Sequence, residues 1–263
     1  IPAGSGMSSS AALENSVVFG LNELFELGLT KEEMILISQK AEHNYVGVKC
    51  GIMDQYASMF GIENHALLLD CRTVTSKPYK IDFKDHELIL INTNVKHSLS
   101  DSAYNDRRSV CESVAAMLKV KALRDATEYD LEGIRDKVTP ENYQKALYVI
   151  QENNRAVQAS KAMEAGDLQT LGALIYASHQ GLSKQYKVSC EELDFLVEQA
   201  KANKHVLGAR MMGGGFGGCT INLIAKTETR AFKDTVSKAY KKQFNRACSI
   251  YSVTLSNGTG IIE

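Results

Sequence analysis

The chain has 263 residues and a mass of 28.9 kDa, enough for one large or two modest domains with a proper core. Its hydrophobic fraction of 44%, charged fraction of 23% and mean hydropathy of -0.19 are those of a soluble globular protein. Thirty Lys+Arg against 31 Asp+Glu give a net charge of -1, which excludes the basic excess of a general nucleic-acid or acidic-membrane binder, and no apolar run reaches the ~18–20 residues of a membrane helix.

The chain opens on Ile1-Pro2-Ala3-Gly4, with no methionine, signal peptide or transit peptide. A glycine-rich loop normally follows an element that holds it. With nothing ahead of this one, the sequence reads as a fragment lacking its N-terminal part. Residues 4–10 form a Gly/Ser loop. A helix is predicted over 10–27, from Leu13, Val17, Val18, Leu21, Leu24 and Phe25 at helical spacing, with Gly28 ending it. Thr30 and Glu33 make a capping box that opens a second helix to about residue 45. Gly47 and Gly51 interrupt the pattern, and a short helix restarts near Asp54.

Strands are predicted at 65–70 and 87–92. The polar stretch from Thr73 to Asp85, with Pro78 inside it, is the candidate domain boundary. Helices follow over about 100–119, 140–165, 167–182 and 189–202, the last opened by a second capping box, Ser189 and Glu192. A glycine run, Gly213–Gly218, leads into a strand from Cys219 to Ala225. A helix over 227–245 and a strand over 248–255 complete the chain. The order β–α–α–β–α–β after residue 85 implies an α+β fold, with helices packed on a largely antiparallel sheet.

The six cysteines are widely scattered, without a Cys-x-x-Cys pair or a His-Glu-x-x-His motif. They read as reduced core thiols of a cytoplasmic protein, not as zinc ligands. Asn257-Gly258-Thr259 fits a glycosylation sequon, but nothing else points to secretion. The six histidines form no ligand set. Arg107, Arg108, Lys241 and Lys242 read as solvated helix faces.

Three motifs carry chemistry. Gly4-Ser5-Gly6-Met7-Ser8-Ser9-Ser10, at a helix start, is an anion cradle. Its glycines admit a phosphate to the backbone, and the first helical N–H groups and the helix dipole favour negative charge. Its serine hydroxyls can bond phosphate oxygens or ligate Mg²⁺. A Ser-capped helix is the plainer reading. There is no Gly-Lys-Ser/Thr of a Walker A loop. Gly213–Gly218 matches Gly-x-Gly-x-x-Gly, but it runs into a strand, whereas a dinucleotide-binding fingerprint opens a helix. A tight hairpin explains one or two of its five glycines; close passage of the backbone past a ligand or another loop explains all five. Glu42 and Asp54 each sit beside a break in the helical pattern. A kinase needs one carboxylate for Mg²⁺ and commonly another to take the proton of the attacking hydroxyl.

Taken together, residues 4–11, Cys50-Gly51-Ile52-Met53-Asp54-Gln55, Asn92–Leu99 with Tyr104 and Arg107-Arg108, and Met212–Cys219 resemble the GHMP kinase superfamily, and within it the galactokinases, in order along essentially the whole chain. The resemblance implies a partial N-terminal α/β domain over 1–84 and a ferredoxin-like C-terminal domain over 85–263, with the active site between them. It implies transfer of the ATP γ-phosphate to the anomeric hydroxyl of galactose, in a cytoplasmic monomer that binds neither nucleic acid nor membrane. By position, Asp54 matches the general base, and Ser10 and Glu42 the Mg²⁺ ligands. Residues 4–10 match the nucleotide-phosphate loop, and Gly51, Asp54 and Tyr104 the sugar site. The C-terminal glycine loop is expected to pack near the phosphate loop. The family's further N-terminal motif is absent. It holds an arginine that supports the aspartate, together with acidic and histidine residues for the sugar, so little or no activity is expected of this chain alone. The alternatives are a kinase for N-acetylgalactosamine or arabinose, and a non-catalytic galactose and ATP sensor. The intact Ser8-Ser9-Ser10-Ala11 favours catalysis over the sensor.

Overall fold

The computed structural model describes residues 6–95 and 100–262, and of 100–104 the backbone alone. Three helices, α1 (Ser9–Phe25), α2 (Lys31–Ala41) and α3 (Met53–Phe60), precede a hairpin of β1 (His65–Asp70) and β2 (Thr75–Lys80). Next come β3 (His86–Asn92), α4 (Ser100–Met117), the short α5 (Glu128–Glu132), α6 (Pro140–Glu164), α7 (Leu168–Lys184) and α8 (Glu191–Lys201). The chain closes with β4 (Val206–Met211), β5 (Cys219–Ala225), α9 (Thr229–Phe244) and β6 (Ser249–Val253).

The second sheet is antiparallel throughout, in the order β4-β5-β3-β6. Numbered from β3, that is a β–α–β–β–α–β unit with ferredoxin-like strand order. Alternation along each strand divides the core in two. Ile89, Ile91 and Ile224 pack with Leu196 and Val197 of α8 and with Phe232, Val236 and Tyr240 of α9. Leu88 and Leu223 pack with Ala162, Leu168 and Leu171 of α6 and α7. Gly172 and Gly208 let α7 approach β4 closely; a Cβ on Gly172 would lie 2.2 Å from the Leu207 carbonyl oxygen.

The first part has its own cluster. Met34, Ile35, Ile52, Tyr56 and Met59 are buried together, with Val18, Leu67 and Leu69 against them. The Thr30–Glu33 capping box forms as expected. The chain's last segment straps this part to the rest. The Gly258 N–H donates to the Gly61 carbonyl (2.8 Å), the Thr259 N–H to that of Ser58 (2.9 Å), and Lys31 Nζ to that of Thr259 (3.0 Å).

Several expectations need correction. The strands predicted at 65–70 and 87–92 leave out a third between them, β2, in which Pro78 stands opposite Leu67. Pro is tolerated there because β2 lies at the edge of a two-stranded sheet. Ser189 and Glu192 form no capping box: the N-cap is Cys190, and the Ser189 hydroxyl donates to Asp194 (2.6 Å). The apolar stripe of α1 faces outward, with Leu13 at 67% and Leu24 at 73% exposure, while Asn15 and Asn22 are buried. Arg107 is no solvated face: its guanidinium donates to the carbonyls of Tyr186 (2.8 Å) and Lys187 (2.9 Å), tying α4 to the turn before α8.

Candidate active site

The entrance to α1 is built to leave donors free. Its N-cap, Ser8, has φ 52 and makes no side-chain capping bond. The Ser8 hydroxyl instead stands beside the Asp54 carboxylate, where it lowers that group's pKa. The first N–H groups of α1 therefore lack a side-chain cap among the described residues, and the positive end of the helix dipole stands open.

Helix α2 does not run to residue 45 as a plain α-helix. It widens into a π-turn over Glu42–Val46, closed by Gly47 at φ 82. Such widenings re-aim one side chain, and they recur at functional sites. Here the side chain is that of Glu42, whose residue is only 7% exposed. Asp54 sits in the first turn of α3. Burial raises its carboxyl above the usual carboxylate range, the Ser8 hydroxyl offsets part of that, and the Glu42 charge adds to it.

These groups meet at one cavity of about 450 Å³, lined by Ser10, Glu42, Gly51, Asp54 and Gln55 on one side and Gly213–Gly215 on the other. The two glycine loops touch. A Cβ on Gly213, at φ +68, would lie 3.2 Å from the Gly6 carbonyl oxygen, and one on Gly6 would lie 3.6 Å from the Cys219 nitrogen. The close passage inferred from five glycines is therefore present, and the hairpin joining β4 to β5 is its frame.

The structure thus brings together Ser8, Ser10, Glu42, Gly51 and Asp54. Met7 and Ser9 belong to the same entrance, at or just ahead of the first turn of α1. Gly4, Ser5 and the Tyr104 side chain lie outside the described residues.

Two residues that sequence reasoning did not single out join the site. Glu14 lies one turn along α1 from Ser10, a spacing that the sequence displays. Burial and then the Glu42 charge raise its carboxyl, and its Oε2 is buried without a hydrogen-bond partner among the described residues. Gln55 is 1% exposed; its side chain stands beside Glu14 and lowers that carboxyl, and its Oε1 has no hydrogen-bond partner among the described residues. No local pattern marks Gln55 except its place beside Asp54.

Comparison with known proteins identifies the family. Residues 1–62 match the GHMP kinases N terminal domain, and residues 159–242 the GHMP kinases C terminal domain. The chain is 40% identical to a galactokinase of Thermotoga petrophila over 98% of its own length and 73% of that protein. It is 38% identical to one of Streptococcus suis, over 100% of this chain and 69% of that protein. The crystal structure of Lactococcus lactis galactokinase complexed with galactose superposes with a TM-score of 0.93 at 36% identity, over 98% of this chain and 68% of that one. A mevalonate kinase of L. major, at 24% identity and a TM-score of 0.61, shares the fold. Close sequence identity across nearly the whole chain, a shared two-domain fold and glycine loops meeting at an acid-lined cavity place the chain in the galactokinase family of the GHMP kinases.

Proposed function

We propose that this site transfers the γ-phosphate of ATP to the anomeric hydroxyl of galactose, giving ADP and galactose 1-phosphate. One observation carries the reading: the Asp54 carboxylate, the buried Glu42 and the uncapped start of α1 open onto the same cavity.

The chemistry follows from these groups. The α1 entrance, residues 4–10, receives the phosphates, because unpaired N–H groups and the helix dipole favour anions. Asp54, with Ser8 beside it, accepts the sugar hydroxyl proton as that oxygen forms its bond to the γ-phosphorus and the bond to the β-phosphate oxygen breaks. A carboxylate held above its usual range is a stronger base and suits that step. Gly51 and Tyr104 border the sugar. The Gly213–Gly215 segment closes the far side and keeps water out.

The residues present fit a divalent cation. Glu42 is a buried carboxylate, and Oε2 of the neighbouring Glu14 is buried without a hydrogen-bond partner among the described residues, an acidic pairing that is costly without a positive partner. Ser10 and Glu42 would hold Mg²⁺, which when bound neutralises charge on the β- and γ-phosphates.

Separate sheets for residues 65–80 and 86–253 support two domains, 1–84 and 85–263. Six free cysteines suit a reducing compartment such as the cytoplasm. Among the described residues no helix is long and apolar enough to cross a membrane.

The test is a coupled ADP-release assay over a sugar panel, on this chain and on a protein covering the full length of its relatives, beside Asp54→Asn. The longer protein is expected to phosphorylate galactose ahead of N-acetylgalactosamine and arabinose. This chain alone is expected to turn over little or not at all. Asp54→Asn should lose roughly 10²–10⁴ in rate while still binding the sugar. Sugar and nucleotide binding without any turnover by the longer protein would replace catalysis with a sensor.

A further inference from the structure

We infer that His179 is a positioning residue for the glycine loop: its Nδ1 takes the Met211 N–H where β4 runs into the loop, and so sets where Gly213–Gly215 stand against the cavity. Strand β4 lies at the edge of its sheet. The Met212 N–H turns inward, to the Cys219 carbonyl (3.0 Å). By strand alternation the Met211 N–H turns outward, where no strand can receive it, and Met211 is fully buried. His179 of α7, 6% exposed, supplies the acceptor at 3.2 Å.

That bond fixes the state of the ring. A backbone N–H only donates, so Nδ1 carries no proton, and the ring hydrogen sits on Nε2. Nε2 is 3.2 Å from Asp194 Oδ1 and donates to it. Asp194 also receives the hydroxyls of Ser183 (2.7 Å) and Ser189 (2.6 Å). Burial alone would raise this carboxyl, but the donors from His179, Ser189 and Ser183 outweigh it and lower it.

The same carboxylate reaches the loop a second way. Ser189 follows Val188, whose carbonyl accepts the Phe216 N–H (2.8 Å). Gly215, at φ +86, passes so near that a Cβ would lie 2.0 Å from that oxygen. The loop is therefore pinned at its entry by His179 and in its middle by Val188, and Asp194 holds both pins. A carboxylate–imidazole pair can also serve a nucleophile, but here the third partner is a backbone N–H and the ring is out of solvent.

The effect on nucleotide rests on the phosphate-binding reading above; the pinning does not. Three measurements test it, the first two on this 263-residue chain. Nitrogen NMR of histidine-labelled protein should show His179 as the Nε2–H tautomer at neutral pH; an Nδ1–H tautomer or a doubly protonated ring overturns the inference. This arm needs no variant. Hydrogen exchange across 211–218 should accelerate roughly tenfold in His179→Leu, the loss of about one buried hydrogen bond. His179→Asn, whose Oδ1 can stand where Nδ1 stood, should keep the protection. Equal exchange in the two variants, or no change in either, overturns it. The ADP dissociation constant of a protein covering the full length of the relatives should rise in His179→Leu and recover in His179→Asn. Absence of nucleotide binding by that longer protein would instead overturn the functional reading, with the exchange result still deciding this one.

Discussion

Gly215 combines two constraints: a φ of +86 and an approach to Val188 that leaves no room for a side chain. Either alone is uncomfortable for alanine; together they force the loop or the 186–189 turn to move. Gly215→Ala is expected to lower stability by about 2 kcal/mol or more in denaturant unfolding. It should also weaken nucleotide binding, because the loop cannot yield without shifting Gly213 off Gly6. Gly214→Ala is the control for stability: no atom lies within 4 Å of its Cβ position, and its unfolding free energy should change little. At this scale the sequence displays which residues matter and hides their partners. Ser8, Glu42 and Asp54 stand out by motif and pattern. That the Ser8 hydroxyl serves Asp54, and does not cap α1, depends on the αL backbone of Ser8 and on α3 folding back beside it, neither of which a local pattern encodes.

Among the elements, the two proposed capping boxes had different fates for a physical reason. Thr30 and Glu33 close theirs reciprocally, Thr30 Oγ1 accepting the Glu33 N–H (3.2 Å) and Glu33 Oε2 accepting the Thr30 N–H (2.8 Å). Thr30→Ala should lower the unfolding free energy by about 1 kcal/mol, leaving the site untouched. Ser189 stands beside Asp194, whose charge outbids the neutral backbone N–H for its hydroxyl. Strands β1 and β3, with their apolar runs, are legible in the sequence, as are helices α1 to α3. Strand β2 is not, because an edge strand exposed on both faces needs no apolar alternation and tolerates Pro78. Strand β4 is not, because Gly208 and Arg210 break its pattern, and Gly208 is there for the crossing of α7. The outward stripe of α1 shows the limit of periodicity: spacing identifies a face, but not what covers it.

Across the whole molecule, the cavity depends on contacts between distant parts of the chain. The tail is one such tie. Residues 257–259 bond Ser58, Gly61, Glu63 and Lys31, and hold the end of α3. Asn257 is engaged here, its Oδ1 accepting the Glu63 N–H (2.9 Å), which gives the sequon residues a structural purpose. Removing residues 256–263 should accelerate hydrogen exchange in α3 far more than in α9. Equal effects on both helices would show that the strap contributes nothing specific.

The meeting of Gly6 with Gly213 has a consequence for how the protein comes into being. A ribosome makes the second glycine loop some two hundred residues after the first, so the cavity stays open while the chain between them is being synthesised. Nucleotide cannot then chaperone the nascent helices α1 to α3; they must persist by their own packing until the β4–β5 hairpin emerges, and any protection by ligand arrives abruptly, together with that hairpin.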